Sequence, residues 1–188
     1  MADDVVEVYQ GGGTLAQAVL GSAPEGMLIA PVWKRICAFM LDVVMVTLVL
    51  EVITRFKFLS VLISWNYLTE SMDYVFPFLV TWAIFFMSFY LYWKYSGRSL
   101  GRSFGQRAFR IAIVHDNGTV LELHHWGPRA FGKLVYLLPI IGPLFFGLRD
   151  VLAARSQKQE HRTSLDKSNH TVAAVDWSLP LEARQKLR

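Results

Sequence analysis

Hydrophobic positions in this chain gather into three blocks, and the polar stretches between them follow different periods. From Ile36 to Ile53 the run is apolar apart from Thr47 and the two acids Asp42 and Glu51. About eighteen residues at about 1.5 Å each approach the roughly 30 Å of a bilayer's hydrocarbon core, so a first spanning helix is predicted over roughly Trp33 to Thr54. A second, roughly Tyr74 to Trp93, reads YVFPFLVTWAIFFMSFYLYW and carries no charge. Trp33, Tyr92, Trp93 and Tyr95 fall near the ends of these runs, where interfacial aromatic anchors are expected. Between them FLSVLISW, Phe58 to Trp65, is too short to span and is expected to lie at the interface or partly buried.

The third block, Leu134 to Ala153, is interrupted by Pro139, Gly142 and Pro143, which disfavour a straight helix. A full crossing would also carry Arg155, Lys158, Arg162 and Lys167 to the outer side, against the positive-inside bias. A bent, re-entrant or interfacial hairpin is therefore expected, with a third span as the alternative. Ahead of it, RIAIVHDNGTVLELH alternates around Asn117-Gly118, a hairpin turn signal, and predicts strands near Arg110 to His115 and Thr119 to Leu123. TVAAV, Thr171 to Val175, can add another strand. The fold class expected is an α-helical membrane protein: two transmembrane helices, the re-entrant or interfacial hairpin, and a small cytoplasmic β-hairpin or sheet. Residues 1–30 are expected to be a weakly ordered tail, 31–176 the membrane domain and 177–188 a C-terminal tail.

Composition agrees with this class: 53% of the 188 residues are hydrophobic. The start carries Asp3, Asp4 and Glu7 without a basic residue, so it lacks the positive segment of a secretory signal. The single cysteine, Cys37, lies in the first apolar run and reads as a small apolar filler. The net charge of +4 is uneven, because Lys94, Arg98, Arg102, Arg107, Arg110, Arg129 and Lys133 face only Asp116 and Glu122 along their stretch. No helix-turn-helix pattern or aromatic single-strand platform accompanies these charges, so nucleic acid is not an expected partner. With Lys34 and Arg35 before the first helix, they instead place both flanks, and the N-terminus, on the cytoplasmic side of the inner membrane. The expected partners are the lipid bilayer and other membrane subunits or further copies of the chain.

Asp42 is the feature that a plain anchor would not have. An ionised Asp at that depth costs roughly 2.5 to 3.5 kcal/mol on insertion scales, so it needs a partner, a proton or water. Arg35 shares its helix face, although their separation along the axis calls for a third group or water between them. Asp42 is read either as an internal tie or as a titrating, ion-coordinating group. Glu51, followed by Arg55 at i+4, reads as a snorkelling end-of-helix acid. In GRSLGRSFGQR, Gly97 to Arg107, the basic residues and those just beyond give a candidate contact for lipid phosphates through Arg98, Arg102, Arg107 and Arg110. His124 and His125 are adjacent and on a strand would point to opposite faces, which disfavours a metal site.

The ordered landmarks Arg35 and Asp42 in WKRICAFMLD, then Gly101, Ser103, Gly105 and Gln106, then FRIAIV with its Asn-Gly turn, and Asp166 in HRTSLDKSNHTVAAV, resemble the RDD family of small membrane proteins. The family is named for one arginine and two aspartates. The resemblance implies that Arg35, Asp42 and Asp166 are those three residues, with Asp150 as the rival for the last. It implies topology more than activity, since transport has been proposed only for some members.

No nucleophile elbow, HExxH, CxxC or full phosphate loop is present, and neither catalysis nor a cofactor is expected. The leading expectation is a non-catalytic accessory or assembly subunit of a larger membrane complex. In it Arg35, Asp42 and Asp166 would form a polar lock between the first helix and the cytoplasmic cap. The alternatives are a proton- or sodium-coupled transporter component using Asp42, and lipid-headgroup binding through the region from Gly97 to Arg110.

Overall fold

The computed structural model describes residues 6–7, 26–64, 72–156 and 160–187. In chain order the elements are β1 (Val6–Glu7), β2 (Leu28–Ile29), α1 (Val32–Ile53), α2 (Phe58–Ile63), α3 (Met72–Leu100), α4 (Phe104–Ala108), β3 (Ile111–His115), α5 (Trp126–Leu134), α6 (Leu148–Arg155), α7 (Ser164–Ser168), β4 (Thr171–Val175) and α8 (Leu181–Lys186). Short 3₁₀ turns occupy Leu123–His125, Val135–Leu137 and Asp176–Ser178, and a π-helical segment occupies Gly142–Gly147.

Helices α1 and α3 are long and apolar enough to cross a membrane. Neither glycine nor proline interrupts α1 after Pro31, and its buried positions Ala38, Asp42, Val46 and Leu50 recur every four residues as one stripe. The opposite face, with Val44, Leu48 and Val52, is both exposed and apolar, as a lipid-facing surface must be. The stripe packs on α3 through Val46, Leu50, Phe85, Phe89 and Trp93. Helix α3 runs two turns past its predicted end, which puts Tyr92 and Trp93 inside the molecule instead of at an interface; Trp93 is buried, while Trp33 and Tyr95 remain exposed. Helix α2, within the expected interfacial segment, packs Phe58 and Leu62 against the same core. Trp65 lies outside the described residues.

The third block is bent. The helical stretches Leu123–Leu137 and Gly142–Arg155 meet at an angle of 112°. Pro139 and the left-handed Ile140 (φ 62°) fall at the break. At its start Leu121 and Trp126 pack on the sheet, and at its end Ala154 lies beside Ile29 to Val32. Both arms therefore begin and end beside the sheet, with the turn between them.

The sheet is antiparallel, in the order β1-β2-β4-β3. Five residue pairs join β3 to β4, from Ile111 with Val175 to His115 with Thr171. Each face is buried. Ala112, Val114, Val172 and Ala174 meet Leu179, Ala183 and Leu187, while Ile111, Ile113, Ala173 and Val175 meet Ala38 and Trp126. The segment expected as a C-terminal tail thus supplies α8 as the outer cover of the sheet. Val6–Glu7 and Leu28–Ile29, in the segment expected as an N-terminal tail, pair with each other, and Ile29 pairs with Ala174.

The expected hairpin partner of β3 is corrected. The Asn117-Gly118 turn does form, with Gly118 at φ 76° and the His115 amide donating to the Thr119 carbonyl at 2.8 Å. Only one bridge follows, Val114 with Val120, and Thr119 to Leu123 is not a strand. Leu121 is drawn into the core and the chain turns into the 3₁₀ segment that delivers Trp126, while β4 takes the ladder with β3.

One internal pattern was not anticipated. Helix α4 opens with the capping box Ser103 to Gln106 and α7 with the capping box Thr163 to Asp166. Each five-residue helix leads, through one left-handed residue, Arg110 (φ 54°) or His170 (φ 50°), into a five-residue strand. Because β3 and β4 pair antiparallel about Ile113 and Ala173, the two units are related by an approximate two-fold axis through that pair.

Candidate functional site

Three buried carboxylates lie where the membrane helices meet the sheet. Asp42 is 1% exposed. Its Oδ1 accepts from the Tyr92 hydroxyl at 2.6 Å and from the Gly105 amide at 2.7 Å; its Oδ2 accepts from Trp93 Nε1 at 3.2 Å. The Tyr92 oxygen in turn accepts from the Phe104 amide at 3.1 Å, and Ser103 Oγ accepts from the Gln106 amide at 3.3 Å. These contacts occupy successive N-terminal amides of α4, groups that a helix leaves without internal partners. A glycine is required at 105 because a Cβ there would stand 2.0 Å from the Ala38 carbonyl oxygen and 2.8 Å from Asp42 Oδ1. Asp42 therefore ties α1 to α3 and α4 at once.

Asp166 sits in a second cluster. Its Oδ2 meets Arg35 Nη1 at 3.3 Å and its Oδ1 meets Arg129 Nη2 at 2.7 Å. Arg35 also donates from Nε to the Ala30 carbonyl at 3.0 Å and from Nη2 to the Ala173 carbonyl at 3.3 Å, so one guanidinium joins α1, the chain before it, α7 and β4. Arg129 also donates to the Thr171 hydroxyl. Burial alone would raise the Asp166 carboxyl, but the charges of Arg129 and Arg35, with hydrogen bonds from Arg129 and Thr163, outweigh it and hold the group below its ordinary 3.8. Beside this cluster, buried Arg162 pairs with Asp116 at 2.8 Å.

Asp150 forms the third. It accepts from the Ser164 hydroxyl at 2.7 Å, from the Ser164 amide at 3.3 Å and from the Tyr136 hydroxyl. Its relation to α7 repeats that of Asp42 to α4: an acid on a membrane-side helix takes an N-terminal amide of the short helix and a tyrosine hydroxyl.

Arg35 and Asp166 are thus in direct contact, whereas Asp42 touches neither of them. Asp42 and the Arg35–Asp166 pair form two separate ties, although all three residues line one cavity. Glu51 is not a snorkelling acid; it is buried, and it accepts from the Leu59 amide at the start of α2 instead of reaching Arg55. Of the basic residues expected at lipid phosphates, Arg98, Arg107 and Arg110 are exposed. Arg102 is not, since it is committed to Asp176 at 3.0 Å. His124 and His125 occupy a 3₁₀ turn, not a strand, and with Glu122 they bring ligand-type atoms within 4.8 Å of one another, an arrangement that could hold a metal ion. Cys37 is half-buried and free.

Arg129, Lys133 and Arg162 counted in the sequence only as positive charges. HWGPRAFGKL offers one usable signal, its Arg129 and Lys133 spaced i, i+4 so that they share a face. A family model, described as the RDD family, matches residues 29–168. No curated protein and no solved structure matches the chain.

Proposed function

The chain belongs to the RDD family, and from that premise we propose that it is a non-catalytic inner-membrane protein, an accessory or assembly subunit whose buried charges lock its membrane helices to a cytoplasmic cap. The observation that carries this reading is the saturation of those charges. Asp42 receives three donors and Asp166 two guanidiniums, so each carboxylate is spent on joining elements. A carboxylate that exchanges a proton or sodium ion needs an open coordination position and an aqueous route. Asp42 lines a cavity, but both its oxygens are already taken by the Tyr92 hydroxyl, the Trp93 indole and the Gly105 amide. Lys34, Lys94 and Arg98 lie at the sheet end of the two spans, which supports a cytoplasmic sheet and N-terminus.

Both spans leave most of their apolar surface outside the molecule. That surface suits lipid on one side and neighbouring subunits on the other. The test is affinity purification from native membranes in mild detergent, followed by mass measurement of the intact particle. A stoichiometric complex with other membrane proteins is expected, and Asp166→Asn should deplete it. A particle of one or several copies of this chain alone, unchanged by that substitution, contradicts the assembly role.

A further inference from the structure

A cavity of about 470 Å³ lies between α1 and the returning arm of the bent hairpin, within the size range of sites for small ligands. Its mouth is formed by Ile36, Met40, Leu144 and Leu148, all exposed and apolar on a membrane-embedded surface. Its inner end is polar. Gln106 and Asp166, the equivalent third helical positions of α4 and α7, both line it, as does the central ladder pair Ile113 and Ala173. The cavity therefore sits at the approximate two-fold axis between the two repeated units.

Three cations, Arg35, Arg129 and Lys133, and three carboxylates, Asp42, Asp150 and Asp166, line the cavity, and they are unevenly paired. Arg35 and Arg129 share the single carboxylate Asp166, and Arg129 Nε has no hydrogen-bond partner among the described residues. Lys133, one turn from Arg129, lines the cavity with no acceptor among the described residues; its ammonium lies over the Trp93 ring at 5.1 Å. The oxygens of Asp42 are occupied by three other donors, and Asp150 is occupied by Ser164, Tyr136 and, at 3.5 Å, Arg149. The half-buried Lys133 ammonium is acted on by the Asp42 and Asp166 carboxylates only through space, which leaves its donors open to an anion.

We propose that this cavity takes one anionic glycerophospholipid from the surrounding bilayer, with its acyl portion along the Ile36, Met40, Leu144 and Leu148 mouth and its phosphate against Lys133. The apolar mouth opens to lipid, which selects an amphiphile over a water-soluble anion. Lys133 supplies a point charge suited to a phosphate. This site is distinct from the exposed Arg98, Arg107 and Arg110, and it does not depend on the assembly role.

The test is native mass spectrometry of the full chain titrated with dioleoylphosphatidylglycerol or with dioleoylphosphatidylcholine, alongside thermal denaturation in detergent. A single phosphatidylglycerol adduct is expected, bound about tenfold tighter than phosphatidylcholine, the equivalent of about 1.4 kcal/mol. Lys133→Gln should remove that preference. Met40→Trp, at the mouth and away from every ion pair, should weaken both lipids without moving the melting temperature. Equal binding of the two lipids by the unmodified chain overturns the proposal, as does a preference that survives Lys133→Gln. If Lys133→Gln does not fold, Met40→Trp decides the location: an unchanged single-site preference in that variant places the lipid elsewhere.

Discussion

Asp42 and Asp166 are both buried acids, and they are stabilised by different means. Asp42 has neutral donors only, the Tyr92 hydroxyl, the Trp93 indole and the Gly105 amide, whereas Asp166 has two guanidiniums. Removing a guanidinium from Asp166 leaves a buried charge short of a counter-ion, so Arg129→Ala is expected to cost about 3 to 5 kcal/mol, read as a lower denaturation midpoint. The pH dependence has a definite sign. The folded-state value of Asp166 lies below its ordinary 3.8, so its contribution is fully present above 3.8 and is lost as the pH falls below it through the depressed value. Acid titration of thermal stability should therefore converge for the unmodified chain and Asp166→Asn only below that pH; convergence already at pH 6 would contradict the ion-paired state. In the sequence, Asp42 and Arg35 stood out because charges are rare in and beside apolar runs, and Asp166 only through the family resemblance. Arg129 did not, because its partners come from α7 and β4, more than thirty residues away.

At the scale of elements, the short helices and their caps decide how the membrane part meets the sheet. Helix α4 approaches α1 so closely that residue 105 must lack a side chain. Gly105→Ala is expected to cost about 2 kcal/mol or more, since the Cβ would meet the Ala38 carbonyl, a backbone atom with no freedom to move aside, as well as Asp42. A melting temperature within 1 °C of the unmodified chain would contradict this packing. Gly97 plays the same part against the Trp126 ring, which a Cβ would approach to 2.0 Å. The spans were legible in the sequence through length and polarity, and the bent third block through Pro139, Gly142 and Pro143. The β4 strand was legible as TVAAV. The missing hairpin strand was not, because alternation in TVLEL fits a strand as well as it fits an exposed turn with Leu121 anchored inward. The capping boxes were readable as Ser103-x-x-Gln106 and Thr163-x-x-Asp166, but nothing local showed that the two would face each other across one ladder.

For the whole molecule, the starts of α1 and the sheet, the end of α3 and both arms of the bent hairpin gather at one end, with the α1–α2 turn at the other. This arrangement predicts a labelling pattern in a Cys37→Ser background. A cysteine at the exposed Lys57 should react with an impermeant maleimide in intact cells, and one at the exposed Gln185 only after permeabilisation. Labelling of both from outside would mean that the third block crosses fully. The positive flanks are the sequence's argument for the orientation that this labelling tests, whereas the burial of the sheet on both faces, and hence the role of α8, needed the fold. The central claim, that the buried acids hold the molecule together instead of carrying ions, is tested most directly by Asp42→Asn, with melting temperature in detergent and pH-gradient-driven proton or sodium flux in liposomes measured on the same preparation. An amide cannot accept from all three donors, so a loss of roughly 1 to 3 kcal/mol is expected. That corresponds to a midpoint lower by about 3 to 10 °C, with flux indistinguishable from protein-free liposomes before and after the substitution. A variant that keeps its melting temperature and loses a flux present in the unmodified protein would contradict the claim.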